Sequence, residues 1–291
     1  MPGVQTNRSN VDLPSDVAKE IIQKMQEDSA VMRLAREIKL PGGGTTIPVI
    51  VGDVEASWGG ETDRIAVSNP ELAKKKMQAY KLSVIVPFSN EFKRDLSTLY
   101  EELKRRIPNA LAKKFDATVF GNVEAPGENF DTFKAVTAQD IGANAYDGLV
   151  AADADIAGHD GITNGYVIAP KGKSILLLSK DTTGRSLFIN SVAEGSVPMI
   201  LGAPTYQSKG AYLKGADKTP STVGIAGDWT QALYGTVEGV KVDISTQATL
   251  KIDKDTEINL WQQDMFAVKA EIEVGFRADT LCFNRLTAME G

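Results

Sequence analysis

Between Ser89 and Asn122, apolar side chains fall at Phe92, Leu96, Leu99, Leu103, Ile107, Leu111, Phe115 and Val119. Steps of three and four put them on one face of a helix. The opposite face carries Lys93, Arg94, Asp95, Glu101, Glu102, Lys104, Arg105, Lys113 and Lys114. Ser89 or Asn90 is placed to cap the start, Glu91 suits the positive end of the helix dipole, and Gly121-Asn122 supplies a stop. At ~1.5 Å per residue the helix would run roughly 45 Å, against about three turns for a typical helix of a globular domain. Pro108 removes one backbone donor, so the pattern predicts a kink near Lys104–Pro108 or a break into two helices there.

The other periodic stretches are shorter. Residues 1–14 are polar and read as an irregular arm. From Ser15 or Asp16, Val17, Ile21, Met25, Met32 and Ala35 mark a helical face that Ser29 interrupts. Leu40-Pro41-Gly42-Gly43-Gly44 breaks the chain. Residues 45–51 and 54–58 then read as β, residues 59–71 as a polar tip, and residues 74–87 as the return, where Tyr80, Leu82, Val84 and Val86 alternate with Lys81, Ser83 and Ile85. The whole is a long two-stranded excursion. An isolated ribbon of this kind is marginal in water, and Trp58, Ile65 and Val67 near its tip have little core of their own to enter. Two destinations stay open: another subunit, or the excursion's own domain.

After the long helix, residues 137–153 predict a short helix capped by Thr137, with Ile141, Ala145 and Leu149 on one face. A Gly- and Asp-rich loop follows, then a buried strand at residues 165–169 and a short helix opened by Pro170. Residues 198–204 and 223–228 are candidate strands, and the alternation from 137 to 228 predicts a mixed lobe. Residues 240–250 form another strand candidate. In 266–276, Phe266, Val268, Ala270, Ile272, Val274 and Phe276 alternate with Ala267, Lys269, Glu271, Glu273 and Gly275, which predicts a strand with one apolar and one polar face, its inner side suited to pack on the long helix. The fold class is α+β.

Composition changes this picture mainly by exclusion. The 291 residues are 42% hydrophobic and 24% charged, a globular mix sufficient for one large domain or two lobes. No apolar run is long enough to span a membrane, and the first residues have no apolar core for a signal peptide, so the expected site of synthesis is a reducing cytoplasm. A net charge of −6 without a basic tail argues against dedicated nucleic-acid binding. Cys282 and His159 are single, which excludes an intrachain disulfide and leaves no zinc ligand set.

The chemical motifs do not complete themselves. Gly172-Lys173-Ser174 ends like a phosphate-binding loop, but Val167 stands where that motif needs glycine. Asp153-Ala154-Asp155 with Gly158 begins like a calcium loop, but Ala157 and Asn164 occupy two of its ligand positions, so an acidic solvent loop is the preferred reading over a cation site. His159 has no nucleophile elbow nearby, and no carboxylate pair is singled out by spacing. Neither an enzyme nor a cofactor is expected.

The order of segments carries more than any motif. LPGGGTTIPVIV (40–51), PFSNEFKRDLSTLYEELKRRI (87–107), AGDWTQALYGTVEGVKVDIS (226–245) and NLWQQDMFAVKAEIEVGFRADTLCFNRL (259–286) together resemble the HK97-like major capsid proteins of tailed double-stranded DNA bacteriophages. The resemblance covers nearly the whole chain. It implies an N-terminal arm (1–44), an extended loop (45–87), a peripheral domain with a spine helix (88–131), an axial domain (132–224) and peripheral strands (225–291). It further implies contacts between subunits through Trp58, Ile65, Val67, Leu72, Met25 and Met32, and pentamers and hexamers of one chain in an icosahedral shell around DNA bound without sequence specificity. Because few residues precede the loop, the expected scaffold is either a separate protein or a segment removed before this numbering; a portal and cement proteins are the other expected partners, and no membrane is expected. Lys74, Lys75 and Lys76 lie near the loop, but no asparagine or catalytic carboxylate matches a cross-linking motif, so no covalent cross-link is expected. An encapsulin-type nanocompartment around a cargo enzyme shares the same fold and is the alternative.

Overall fold

The computed structural model describes residues 15–41, 47–50, 74–91, 96–181, 183–189, 197–216, 219–237, 240–251 and 257–289. Along the chain, α1 (Ser15–Asp28) and α2 (Ala30–Leu34) precede β1 (Arg36–Lys39), β2 (Ile47–Ile50), β3 (Lys74–Met77) and β4 (Tyr80–Ser89). The long α3 (Leu96–Val119) leads to β5 (Ala138–Asp140), α4 (Ala145–Gly158), β6 (Gly165–Ile168), α5 (Pro170–Leu178), β7 (Met199–Ile200) and β8 (Ala203–Gln207). Then come β9 (Ser221–Gly227), β10 (Ala232–Thr236), β11 (Lys241–Ser245), β12 (Thr249–Lys251), β13 (Glu257–Asn259), β14 (Met265–Ala278) and β15 (Phe283–Ala288).

The chain divides into two compact units. One comprises Met1–Asp28, Lys81–Ala112 and Glu238–Glu273; the other comprises Ser29–Tyr80, Lys113–Val237 and Val274–Gly291. The boundary falls inside α3 and inside β14, so each of these elements lends one end to each unit.

In the first unit, β11 runs antiparallel to the start of β14, with Ile244 opposite Val268, and β4 also pairs with β14. Phe88 of β4 stacks on Phe266 of β14 at 5.7 Å between ring centroids. Ile21 and Met25 of α1 and Leu103, Ile107 and Leu111 of α3 are buried, and Lys104 of α3 pairs with Glu20 of α1 at 2.5 Å. The expected break at Pro108 does not occur: α3 is one 24-residue helix, about 36 Å long at ~1.5 Å per residue. Ile107 and Leu111 are buried on either side of the proline, and burial of that stripe outweighs the missing donor. The polar face expected of β14 is also corrected. Glu271 is only 8% exposed, its carboxylate lying between Lys269 and Lys81. Hydrogen bonds from Lys269 and Lys81 hold its carboxyl below the usual range.

In the second unit a six-stranded sheet has the order β5-β15-β9-β6-β8-β7. β15 runs parallel to β5 and antiparallel to β9, β9 antiparallel to β6, β6 parallel to β8, and β8 antiparallel to β7. Helices α4 and α5 bury Leu149, Ala152, Ile156 and Leu176 against Tyr166, Ile168, Val223 and Leu286 of this sheet. Elsewhere in the unit β10 pairs antiparallel with the end of β14 and parallel with β1. The last turns of α3 enter an aromatic cluster in which Phe115 meets Phe276 edge-on at 6.3 Å and Phe133 stacks on Phe283 at 4.4 Å. α3 stops at the expected place: Gly121 takes φ +86°, a conformation that suits glycine, and its N–H and that of Asn122 return to Thr118 and Ala117.

Three expectations for this unit are revised. Ser29 does not interrupt one helix; it ends α1 and caps α2, its hydroxyl accepting from Met32 N, and the chain then becomes β1 rather than remaining helical. The helix expected from Thr137 starts eight residues later. Asp140 turns the chain by accepting from Gly142 N, β5 pairs with β15, and Asn144 caps α4 through Tyr146 and Asp147. The supposed acidic loop and calcium-like segment at Asp153–Gly158 is therefore helix, as its alanine content favours. Finally, β3 alone returns along β2, with Val49 opposite Lys75, while β4 belongs to another sheet.

Candidate functional site

At the root of the excursion the second unit buries an arginine. Arg277, near the end of β14, is 7% exposed. Its Nε donates to Lys76 O at 2.7 Å, Nη1 to Asp131 at 2.8 Å, and Nη2 to Asn129 Oδ1 at 2.9 Å and Glu128 O at 3.2 Å. The other carboxylate oxygen of Asp131 accepts from Lys75 Nζ at 2.9 Å and Ala278 N at 3.1 Å, and Lys75 also reaches Ala278 O at 2.6 Å. A planar guanidinium with several fixed donors suits this set of acceptors; a lysine would not serve it. The backbone of β3 is thus tied to β14 and to the loop after α3. Lys75, one of the lysines near the loop, has its ammonium committed here.

Apolar packing seats the same root. Met77 is fully buried with Leu40, Ala79 and Leu233. Gly235 and Gly275 face each other across β10 and β14. A Cβ on Gly235 would overlap Leu40 and Met77, and one on Gly275 would lie 2.5 Å from Gln78 O. Only two glycines in register let the chain leave β3 this close to the sheet.

A buried carboxylate holds the N-terminal segment. Asp116 of α3 is 2% exposed. It accepts from Ser29 Oγ at 2.5 Å, Ala30 N at 3.0 Å, Val31 N at 3.4 Å and Ser208 Oγ at 3.1 Å. Desolvation raises its pKa above the ordinary 3.8, against the lowering effect of those four donors. With no cation among these partners, the carboxylate is held by neutral donors alone.

Of the residues expected to touch another subunit, Met25 and Met32 are 1% and 5% exposed, already covered by their own chain. Trp58, Ile65, Val67 and Leu72 lie outside the described residues. The sequence reading did not single out Asp116, Asp131 or Arg277. Asp116 had one faint signal, an acid set between the apolar positions Phe115 and Val119. Among the described residues no group of three or more His, Cys, Asp or Glu side chains is placed to hold a metal ion, and no helix is long and apolar enough to cross a membrane.

This architecture has clear relatives. The chain is 27% identical to the probable major capsid protein gp17 of Mycobacterium phage D29, over 94% of this chain and 89% of that protein. A solved structure from Gordonia phage Cozz superimposes with a TM-score of 0.66 at 18% identity, covering 90% of this chain and 87% of the other. The capsid of an empty GTA particle computed with C5 symmetry gives 0.61 at 15% identity, covering 90% of each chain. The α+β fold is the HK97-like one expected from the order of segments. The phage capsid family model matches residues 10–278, nearly the whole length, and the chain therefore belongs to the phage capsid family.

Proposed function

We propose that this protein is the major capsid protein of a tailed double-stranded DNA phage, and that copies of it assemble into the closed icosahedral shell around the packaged genome. The family match over residues 10–278 carries this reading. The relatives that match are phage capsid proteins, which favours a virion shell over a cargo-holding nanocompartment of the same fold. In this reading the chain is made in the host cytoplasm and ends in the virion. A separate scaffolding protein guides assembly, a portal occupies one vertex, and cement proteins attach outside. The segment 45–87 is the extended loop, residues 88–131 and 225–291 form the peripheral domain, and residues 132–224 form the axial domain. Trp58, Ile65, Val67 and Leu72 are buried by a neighbouring copy rather than by their own chain. The anchoring of β3 supports this: a loop that reaches over a neighbour needs a root that does not move.

Electron microscopy of the purified protein over a range of salt and protein concentrations, beside light scattering, tests the proposal. Closed polyhedra, tubes or five- and six-membered rings are expected. Internal density separates nucleic acid from an enzyme cargo. A chain that stays monomeric or dimeric under every condition, with its co-expressed scaffold present, overturns it.

A further inference from the structure

Charge in the six-stranded lobe is sorted by segment. From Thr137 to Asp160 there are five aspartates, Asp140, Asp147, Asp153, Asp155 and Asp160, and no lysine or arginine. From Gly165 to Ile189 there are Lys171, Lys173, Lys180 and Arg185 against Asp181 alone. α4 packs over β15 and β5, and α5 over β9 and β6. Among the described residues no ion pair joins the two sets. Asp181 serves its own turn, accepting from Thr183 N, Thr183 Oγ1 and Arg185 N.

Each set borders an exposed apolar surface. On α4, Tyr146 and Val150 are 49% and 40% exposed. They continue through Asp153 to Ala157 at the spacing of one helical stripe. Ala151, Ala154 and Gly158 are exposed beside it. Beyond the start of α4, Leu178 and Leu187 are 75% and 47% exposed. They are brought together by the Leu187 N to Ser179 O hydrogen bond and lie close in sequence to Lys180 and Arg185. An open groove of about 470 Å³ is lined by Leu178, Ser179, Lys180, Leu187 and residues 142–145. One surface is apolar and acidic; the other is apolar and basic.

We infer that the outer face of α4 in one copy docks on the Leu178–Lys180–Arg185–Leu187 surface of the next copy. This rests on the shell reading. A second copy is the occupant because the chain itself carries both halves in equal number, and because the acidic half repels nucleic acid. A contact of opposite charges around an apolar centre also orients incoming copies before they lock, and its rate of formation falls with added salt.

The test uses the full chain under conditions that assemble the wild type. Reversing one side, Asp147→Lys with Asp153→Lys, or the other, Lys180→Glu with Arg185→Glu, is expected to lower the assembled fraction by about tenfold, because like charges then face each other. Combining all four substitutions is expected to restore assembly. Glu124→Lys, an exposed acid outside both surfaces, is expected to leave assembly unchanged. Asp147 also accepts from the capping Asn144, so a second arm avoids that position. Val150→Cys with Leu187→Cys, under a mild thiol oxidant, is expected to yield disulfide-linked multimers on a denaturing gel; the natural Cys282 is buried. Reversed variants that assemble normally, or normal shells whose cysteine pair does not cross-link, overturn this contact and leave the shell reading intact. A wild type that forms no multimer under any condition with its co-expressed scaffold present, together with a cysteine pair that forms no cross-link, overturns both.

Discussion

Two carboxylates in the same unit, Asp131 half-buried and Asp116 buried, are held in opposite ways. Asp131 is clasped by two cations, Arg277 at 2.8 Å and Lys75 at 2.9 Å. Asp116 has none among its partners and is held by two hydroxyls and two backbone N–H groups. The first arrangement is an ion network, in which loss of Asp131 leaves the buried guanidinium of Arg277 without its counter-ion. The second is a cap, in which the acid serves as acceptor for the start of α2 and tolerates its proton. One ties the root of the excursion to the end of β14; the other ties the N-terminal segment through a carboxyl that burial pushes toward its protonated form.

The largest effect should come from breaking the network. Arg277→Ala removes one of the two cations on Asp131 and leaves the Lys76 and Glu128 carbonyls and the Asn129 side chain without their donor, and the expected loss is about 3–5 kcal/mol, read from urea or thermal unfolding. Arg277→Lys should recover only part of it, since one point charge cannot reach acceptors spread around a plane. Asp116→Ala leaves buried donors without an acceptor and should cost about 2–3 kcal/mol. Unlike the Arg277 variant, it should speed amide exchange selectively at Ala30 and Val31. Gly275→Ala forces a methyl against Gln78 O and should cost about 2 kcal/mol, without altering the response to pH.

The smallest signal is the one that separates the two carboxylates most cleanly. Because the folded pKa of Asp116 lies above its ordinary value of 3.8, the folded chain keeps a proton that the unfolded chain has released. Its contribution is therefore greatest below pH 3.8, declines as pH rises past that value, and levels off above the raised pKa. Asp116→Asn cannot titrate. The stability difference between wild type and Asp116→Asn should thus fall with rising pH through that window and then stay flat; a difference that grows with pH would show a carboxylate stabilised by its partners instead.

The sequence was legible wherever periodicity runs long. The stripe from Leu103 to Val119 gave α3 and its glycine stop, and the alternation from Phe266 to Phe276 gave β14. It misled where elements are short. β5 has three residues and draws its stability from β15, well over a hundred positions away, so nothing local distinguishes it from the first turn of a helix. The Asp153–Gly158 segment looked like a loop because aspartate and glycine dominate its appearance, while the alanines and the buried Ile156 decide its conformation. Asp116 and Ser29 stand 87 positions apart, and Arg277 and Asp131 stand 146 apart. No pattern within either segment announces such a pairing. The segment-order resemblance succeeded for the converse reason, since it integrates many weak local signals over the whole length.

The clasp at Arg277 also decides how the molecule would answer a pull. Tension applied to the chain between β2 and β3 passes from β3 through the Lys76 carbonyl and the Lys75 ammonium into the far end of β14. That end is paired with β10, and β10 in turn with β1. A load that arrives along a paired strand strains its hydrogen bonds together, whereas one arriving at an edge opens them in sequence like a zipper. In a container pressurised from within, such a root would let a loop behave as a strap rather than as a hinge.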